Sequence, residues 1–233
     1  RICFFGAEHA NMAAVIIVFA LGRATIPLAT TKAACDRWPF ESAWRRIGYE
    51  PRCYNTTEQV TLTQKYCPDK PLHPIQYSDV SRLLLLYERG GGYVDSDVRP
   101  TPRCSHDKAF NGTTFGLESD FSSTKAAQLG MLQQSLSMWA IHGLKGDAQL
   151  KTMACTLARQ STRPARSDES WNSYIHHTSG PTAYTHLWKG QVLSINVFGC
   201  GQRHSSAPPC SSPTCWGCHL FAGSWRDNHI SSI

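Results

Sequence analysis

An α/β fold in one domain is predicted by three observations. The length, 233 residues, suits a single sizeable domain and is short for two. Hydrophobic residues make up 41% and charged residues 17%, the balance of a folded chain. Strand-like and helix-like segments alternate through the first hundred residues, as βαβ units do.

The elements follow in order. "AAVIIVFALG" (13–22) is apolar and β-branched and ends before Arg23 and Pro27, which predicts a buried strand. It is about half the ~20 residues a bilayer span needs, and it also has the length of a signal-peptide core. The chain opens on Arg1, so a fragment lacking an upstream targeting segment is expected. "TTKAACDRWPFESAWRRIG" has helical spacing in places, and "YEPRCYN" reads as a short strand. After the proline-bearing loop "CPDKPLHP", Ser78 is the expected N-cap of a buried leucine helix that includes Tyr87. Gly90, Gly91 and Gly92 stop that helix, and Tyr93 and Val94 begin a strand leading to Asp95.

Further on, "LQQSLSMWAI" (132–141) has strand composition. "DAQLKTMACTLARQ" sets Leu150, Met153, Ala154, Leu157 and Ala158 on one helical face, with Asp147 as cap. His176 and His177 are read as loop, where adjacent side chains point apart and chelate poorly, with His177 facing an acceptor. "TSGPTAYTHLW" predicts a turn into a short helix, and "QVLSINVF" a strand. Residues 199–218 form a Ser-, Pro- and Cys-rich loop insertion.

Net charge is +6, but the basic residues are scattered, and the Arg159, Arg163 and Arg166 cluster around Pro164 reads as a polar loop. That distribution argues against a nucleic-acid partner, which needs a basic stripe or a recognisable module. Ten cysteines, with acceptor sequons at Asn55 and Asn111, point to an oxidising, secretory-pathway setting. Cys200, His204, Cys210, Cys215, Cys218 and His219 offer either a zinc site or disulfides. The single C-x-x-C, with no partner half, favours disulfides.

The chemistry concentrates in "YSDVSRLLLLYERGGGYVDSDV" (77–98). On an extended segment Asp95 and Asp97 point the same way, which presents two carboxylates to one divalent cation. Asp79 and Arg82 are three apart and share a face in what is expected to be the first helical turn, where free N–H groups favour an anion. An arginine there can reach a phosphate, and an aspartate can accept from hydroxyls. Glu118 and Asp120, in "FGLESD", are candidates for acceptor contact or base work.

This D-x-x-R, hydrophobic helix, G-G-x-Y, D-x-D order resembles the sugar-nucleotide core of D-x-D glycosyltransferases. It is most similar to the family of fungal initiating α-1,6-mannosyltransferases and α-1,4-galactosyltransferases (glycosyltransferase family 32), whose core the large glucosylating toxins share. "TSGPTAYT" resembles that family's later G-P segment, and "HLFAGSW" its closing histidine and serine–tryptophan.

The resemblance implies a GT-A type fold: a Rossmann-like, nucleotide-sugar-binding single domain over residues 1–233 with a mixed central sheet. It implies a Mn²⁺ or Mg²⁺ cofactor, a nucleotide-diphosphate sugar donor, a glycan or glycolipid acceptor and retention of configuration. Asp79 and Arg82 would hold the donor sugar, Gly91, Gly92 and Tyr93 would lie along the nucleotide or sugar, and Asp95 and Asp97 would serve the metal. His219 would sit near metal or diphosphate, and Ser224 and Trp225 would close over the phosphates. The Golgi or secretory lumen would be the location, with any membrane anchor outside this chain. Two alternatives stand beside this reading: a non-catalytic domain of the same fold that binds glycans or partners, and a zinc-stabilised interaction module. A phosphatase of the D-x-D-x-T type is disfavoured by Arg99 at the threonine position.

Overall fold

A computed structural model describes residues 26–31, 38–68, 71–101, 112–120, 124, 132, 134–193 and 217–220. The expected strand at 13–22, and Ser224 and Trp225, lie outside the described residues. The elements are β1 (Ile26–Thr31), α1 (Glu41–Arg46), β2 (Tyr49–Tyr54), α2 (Thr56–Tyr66), α3 (Pro74–Arg89), β3 (Gly91–Val94) and β4 (Val98–Pro100). Then come β5 (Thr114–Asp120), β6 (Gln134–Gly143), α4 (Ala148–Gln160), α5 (Trp171–Thr178), α6 (Pro181–Leu187), β7 (Gln191–Leu193) and β8 (Gly217–His219).

Six strands form a mixed sheet in the order β2-β1-β3-β6-β5-β7. β1 is parallel to β2 and β3, β6 runs antiparallel between β3 and β5, and β7 is parallel to β5. The expected α/β fold with a mixed central sheet is therefore what the chain adopts. Side chains alternate across β3: Tyr93 joins the larger core on the α2, α3, α4 and α6 side, and Val94 the smaller core with Trp44 of α1. A separate ribbon, β4 against β8, pairs Val98 with His219 and Pro100 with Gly217.

α3 carries the site, and its sequence explains its depth. Leu83, Leu84, Leu85 and Leu86 are all buried, each contributing about 2 kcal/mol on an area basis. The helix starts earlier than Ser78. Pro74 takes the first helical position, which needs no N–H, and His73 caps the end reciprocally with Gln76. Gln76 Oε1 accepts from the His73 N–H at 3.0 Å. Asp79 and Arg82 thus lie inside the helix, so the expected use of its free N–H groups does not hold. Gly90 ends it at φ +69°, and a Cβ there would meet the Lys145 amide nitrogen at 2.9 Å.

Two further expectations change. His176 and His177 sit on α5, not in a loop, because the Ser170 hydroxyl accepts from the Ser173 N–H and caps a helix there. Asp95 and Asp97 are not alternate residues of a strand. β3 stops at Val94, and a turn closes when the Val98 N–H donates to the Asp95 carbonyl at 3.0 Å.

Cys67, the C-cap of α2, is disulfide-bonded to Cys155 on α4, a sequence separation of 88. The bridge spans α3, which packs against both helices. Cross-linking so long a loop restricts the unfolded chain, worth about 4 kcal/mol on the chain-entropy account. Replacing Cys67 and Cys155 together by alanine is expected to lower the unfolding free energy by roughly that amount. Urea unfolding monitored by circular dichroism measures it, and an unchanged midpoint would refute it.

Candidate active site

α3, the β3–β4 turn and β8 bring four acid–base groups and a histidine to the carboxyl end of β3. The guanidinium of Arg82 is the hub. Its Nη2 donates to Asp79 Oδ1 at 2.8 Å, and its Nη1 donates to the Met138 carbonyl on β6 at 2.7 Å and to Asp95 Oδ1 at 3.4 Å. The Nε donates to the Ser78 carbonyl at 3.3 Å. The guanidinium carbon lies over the Tyr93 ring, 4.7 Å from its centroid. Tyr93 in turn donates its hydroxyl to Asp95 Oδ1 at 2.9 Å.

Asp79 and Arg82 are only 4% and 6% exposed, so their charges survive by pairing. The Ser179 hydroxyl donates to Asp79 Oδ2 at 2.7 Å, and the Tyr184 hydroxyl donates to the Asp79 carbonyl at 2.5 Å. Burial pushes the Asp79 pKa up from 3.8 to about 6, against the lowering effect of Arg82 and of the Ser179 hydrogen bond. For Arg82, burial works against the charge, but Tyr93, Asp95 and Asp79 more than offset it, and its pKa is raised. Burial also raises the Tyr184 hydroxyl well above its ordinary value.

Beyond Arg82 the site opens. One ligand atom each from Asp95, Asp97 and His219 lies within 4.8 Å of the others, all three residues half-buried. His219 Nε2 is 3.3 Å from Asp97 Oδ1. Its ring is stacked on Trp139 of β6, centroids 5.2 Å apart and planes 28° apart. Two carboxylates and one imidazole fit a divalent ion of the Mn²⁺ kind: oxygen ligands satisfy a hard cation, and the nitrogen favours Mn²⁺ over Mg²⁺.

With that geometry in view, comparison with known proteins decides the class. Residues 50–114 match the family model described as "Glycosyltransferase sugar-binding region containing DXD motif". Residues 50–114 are thus similar to a DXD glycosyltransferase sugar-binding region. The region runs from β2 to the start of β5 and includes Asp79, Arg82, Asp95 and Asp97, making the chain a transferase of the glycosyl class. Among solved structures, one described as "PaToxG Glycosyltransferase" is similar at 12% identity, over 70% of this chain and 68% of that chain, with a TM-score of 0.44. No curated protein matches the chain.

The sequence-predicted residues are not all brought together. Asp79, Arg82, Tyr93, Asp95, Asp97 and His219 converge on the sugar-binding region. Tyr93 is fully buried, beneath Arg82 and Asp95 rather than facing the opening. Gly91 and Gly92 sit toward the opposite end of β3, roughly 13 and 10 Å from Asp95 along the strand, where they pair with Gly143 and His142. Glu118 and Asp120 fall on β5. The larger of two described cavities, about 470 Å³ between Tyr66, Tyr87 and Lys145, also lies at the Gly90 end, away from the carboxylates. Ser179, Tyr184, Met138 and Trp139 escaped the sequence reading. Ser179 and Tyr184 had a signal, their place in the G-P segment. Cys218 is disulfide-bonded, so it has no thiolate to give to zinc.

A folded-state pKa of about 6, above the unfolded 3.8, means that the folded chain binds the Asp79 proton more tightly. The contribution of this group to stability is therefore full below pH ~4 and is lost as pH rises through ~6. Asp79→Asn removes that slope. The stability difference between wild type and variant is expected to change between pH 4 and 6 and to be flat above, as urea midpoints across that range would show.

Proposed function

We propose that the chain is a metal-dependent, retaining hexosyltransferase that takes a nucleotide-diphosphate sugar, GDP-mannose or a UDP-hexose, and passes the sugar to a glycan or glycolipid. The narrower likeness to the fungal mannosyltransferase and galactosyltransferase family belongs to this proposal, and so does retention of configuration. The observation that carries it is the meeting of Asp95, Asp97 and His219 within 4.8 Å, beside a buried arginine that touches Asp95.

A Mn²⁺ ion held by Asp97, Asp95 and His219 would neutralise the diphosphate as the sugar–phosphate bond lengthens. Arg82 places a fixed positive charge at the same end of β3, where the leaving diphosphate gathers negative charge. Its partners Asp79, Met138 and Tyr93 hold it still, so little reorganisation accompanies the reaction. Asp79, with Ser179 and Arg82 on its two oxygens, orients the arginine and offers its remaining lone pairs to donor hydroxyls. Ser224 and Trp225 are assigned the phosphate-closing role on the resemblance alone.

The Golgi or another secretory lumen is the proposed compartment. Support comes from the Cys67–Cys155 bridge and from disulfide bonding of Cys53 and Cys218, since such bonds persist in oxidising compartments.

Asp97→Ala is expected to abolish Mn²⁺-dependent binding of UDP or GDP, read by calorimetry with each nucleotide. Arg82→Lys keeps a charge but loses the planar fork, so kcat should fall about a hundredfold and the unfolding midpoint should fall as well, because lysine cannot bond Asp79 and Met138 at once. Screening GDP-mannose, UDP-galactose, UDP-glucose and UDP-N-acetylglucosamine for Mn²⁺-dependent hydrolysis identifies the donor. No turnover with any of them, together with undiminished nucleotide binding by Asp97→Ala, would sink the proposal.

A further inference from the structure

Two sequons, Asn55-Thr56-Thr57 and Asn111-Gly112-Thr113, take no part in the site described above. Asn111 lies outside the described residues, whereas the first sequon falls where β2 ends and α2 begins.

Asn55 is exposed and caps α2. Its Oδ1 accepts from the Glu58 N–H at 3.0 Å, and Glu58 Oε2 accepts from the Asn55 N–H at 2.9 Å, a reciprocal capping box. The oxygen and nitrogen of a side-chain amide are told apart by their partners. Here the partner is an N–H donor, so the oxygen must face the helix and Nδ2 must point away from it. Among the described residues no hydrogen bond uses Nδ2. Glu58 is anchored at its other oxygen too, where Oε1 accepts from Arg52 Nη2 at 2.9 Å. Thr57, the third residue of the sequon, is exposed as well. Its carbonyl accepts from the Thr61 hydroxyl at 2.9 Å, and its own hydroxyl is used by no hydrogen bond among the described residues.

The attachment point is also clear of the carboxylates. Tyr54, the last residue of β2, pairs with Thr31, and Ala29 pairs with Tyr93, so Asn55 follows a residue level with Asp95. β1 lies between β2 and β3, which sets Asn55 roughly 10 Å to the side of the D-x-D turn.

We propose that Asn55 is N-glycosylated in the secretory lumen. The co-reactant is a polyprenyl-diphosphate-linked oligosaccharide. A bond forms between Nδ2 and C1 of its first sugar, the C1–O bond to the diphosphate breaks, the diphosphate leaves with the electron pair, and one amide proton passes to base. Nδ2 keeps its second hydrogen, and Oδ1, untouched, still caps the helix. A glycan is bulky and belongs at a surface, so the fold must leave its nitrogen in the open. An asparagine whose nitrogen faced the helix or the core would fail that requirement, and Asn55 meets it. The inference rests on the proposed secretory compartment and is independent of the donor reading: it stands whether or not the chain binds a nucleotide sugar.

The test uses the chain isolated from its own cells. After reduction, trypsin releases residues 53–65 by cutting after Arg52 and Lys65. Peptide-N-glycosidase in heavy-oxygen water should convert Asn55 in that peptide to labelled aspartate. In the full chain secreted by animal cells behind a cleavable leader, Asn55→Asp and Thr57→Ala should each lose one glycan on a gel, and Thr57→Ser should keep it, any glycan at Asn111 remaining in all three. Aspartate caps a helix as well as asparagine does, so the loss in Asn55→Asp is not misfolding. Residues 53–65 recovered without label, or Asn55→Asp migrating with the wild type, would overturn the proposal. The state of the cysteines separates its failure from that of the compartment. An unlabelled peptide from a chain whose Cys67–Cys155 bond is formed removes the glycan alone. An unlabelled peptide from a chain isolated with both thiols free removes the secretory compartment as well.

Discussion

The buried guanidinium of Arg82 is the constraint on which the site depends. A cation this far from water requires partners for its N–H groups, and the partners come from Asp79, Ser78, Met138 and Asp95. Satisfying them locks α3 against β6 and the β3–β4 turn, so the helix that carries the arginine and the turn that carries the D-x-D cannot shift independently. Lysine has neither the fork to bond Asp79 and Met138 at once nor the flat face to rest on Tyr93. The electrostatic consequence reaches the opening. Arg82 is shared between Asp79 and Asp95, and Asp97 has the His219 imidazole 3.3 Å from its Oδ1.

That geometry is what makes the chemistry distinct from that of a surface D-x-D. An aspartate pair on a solvated loop is screened and free to turn, and its affinity for an ion is low. Here Asp95 accepts from both Tyr93 and Arg82, and its backbone N–H donates to the Trp139 carbonyl at 2.9 Å. Its orientation is fixed before any ligand arrives, and preorganised charges of this kind act without reorganisation. The same hub explains why Asp79 is raised toward neutral pH while still paired: burial, not the absence of a partner, sets its value.

Much of this was legible in the sequence, and the misses share a cause. The leucine run, the Asp147 cap and the inner face of Leu150, Met153 and Leu157 are local patterns, and α3 and α4 form where those patterns lie. The start of α3 was misplaced because Pro74 reads as loop punctuation, whereas at the first helical position proline costs nothing. α5 was missed although Ser170 caps it and Trp171, Tyr174 and Ile175 fall at helical spacing, because the adjacent His176 and His177 read as loop. The pairing of Asp95 with Asp97 came out by a turn and not by strand alternation, which sequence cannot separate at so short a spacing. Ser179 on Asp79 is a contact across 100 residues, and the Met138 carbonyl carries no side-chain signal at all.

The placement of His219 calls for its own physical account, because a three-residue ribbon is too short to hold a strand in water. Three contacts supply what the ribbon lacks. Trp139 stacks on the imidazole, and the Leu220 N–H donates to the Asp97 carbonyl at 3.2 Å, which fixes the backbone on both sides of the ring. Cys218, fully buried between them, is held by a disulfide. Gly217 completes the fit, since a Cβ there would come within 3.0 Å of Val98 Cγ1 and push β8 off β4. The third ligand atom is therefore delivered by a segment more than 120 residues from the D-x-D, positioned through Trp139 on the same strand, β6, whose Met138 carbonyl anchors Arg82. One strand thus sets both halves of the site: its carbonyl at 138 accepts from the Arg82 guanidinium, and its indole at 139 stacks on the His219 imidazole.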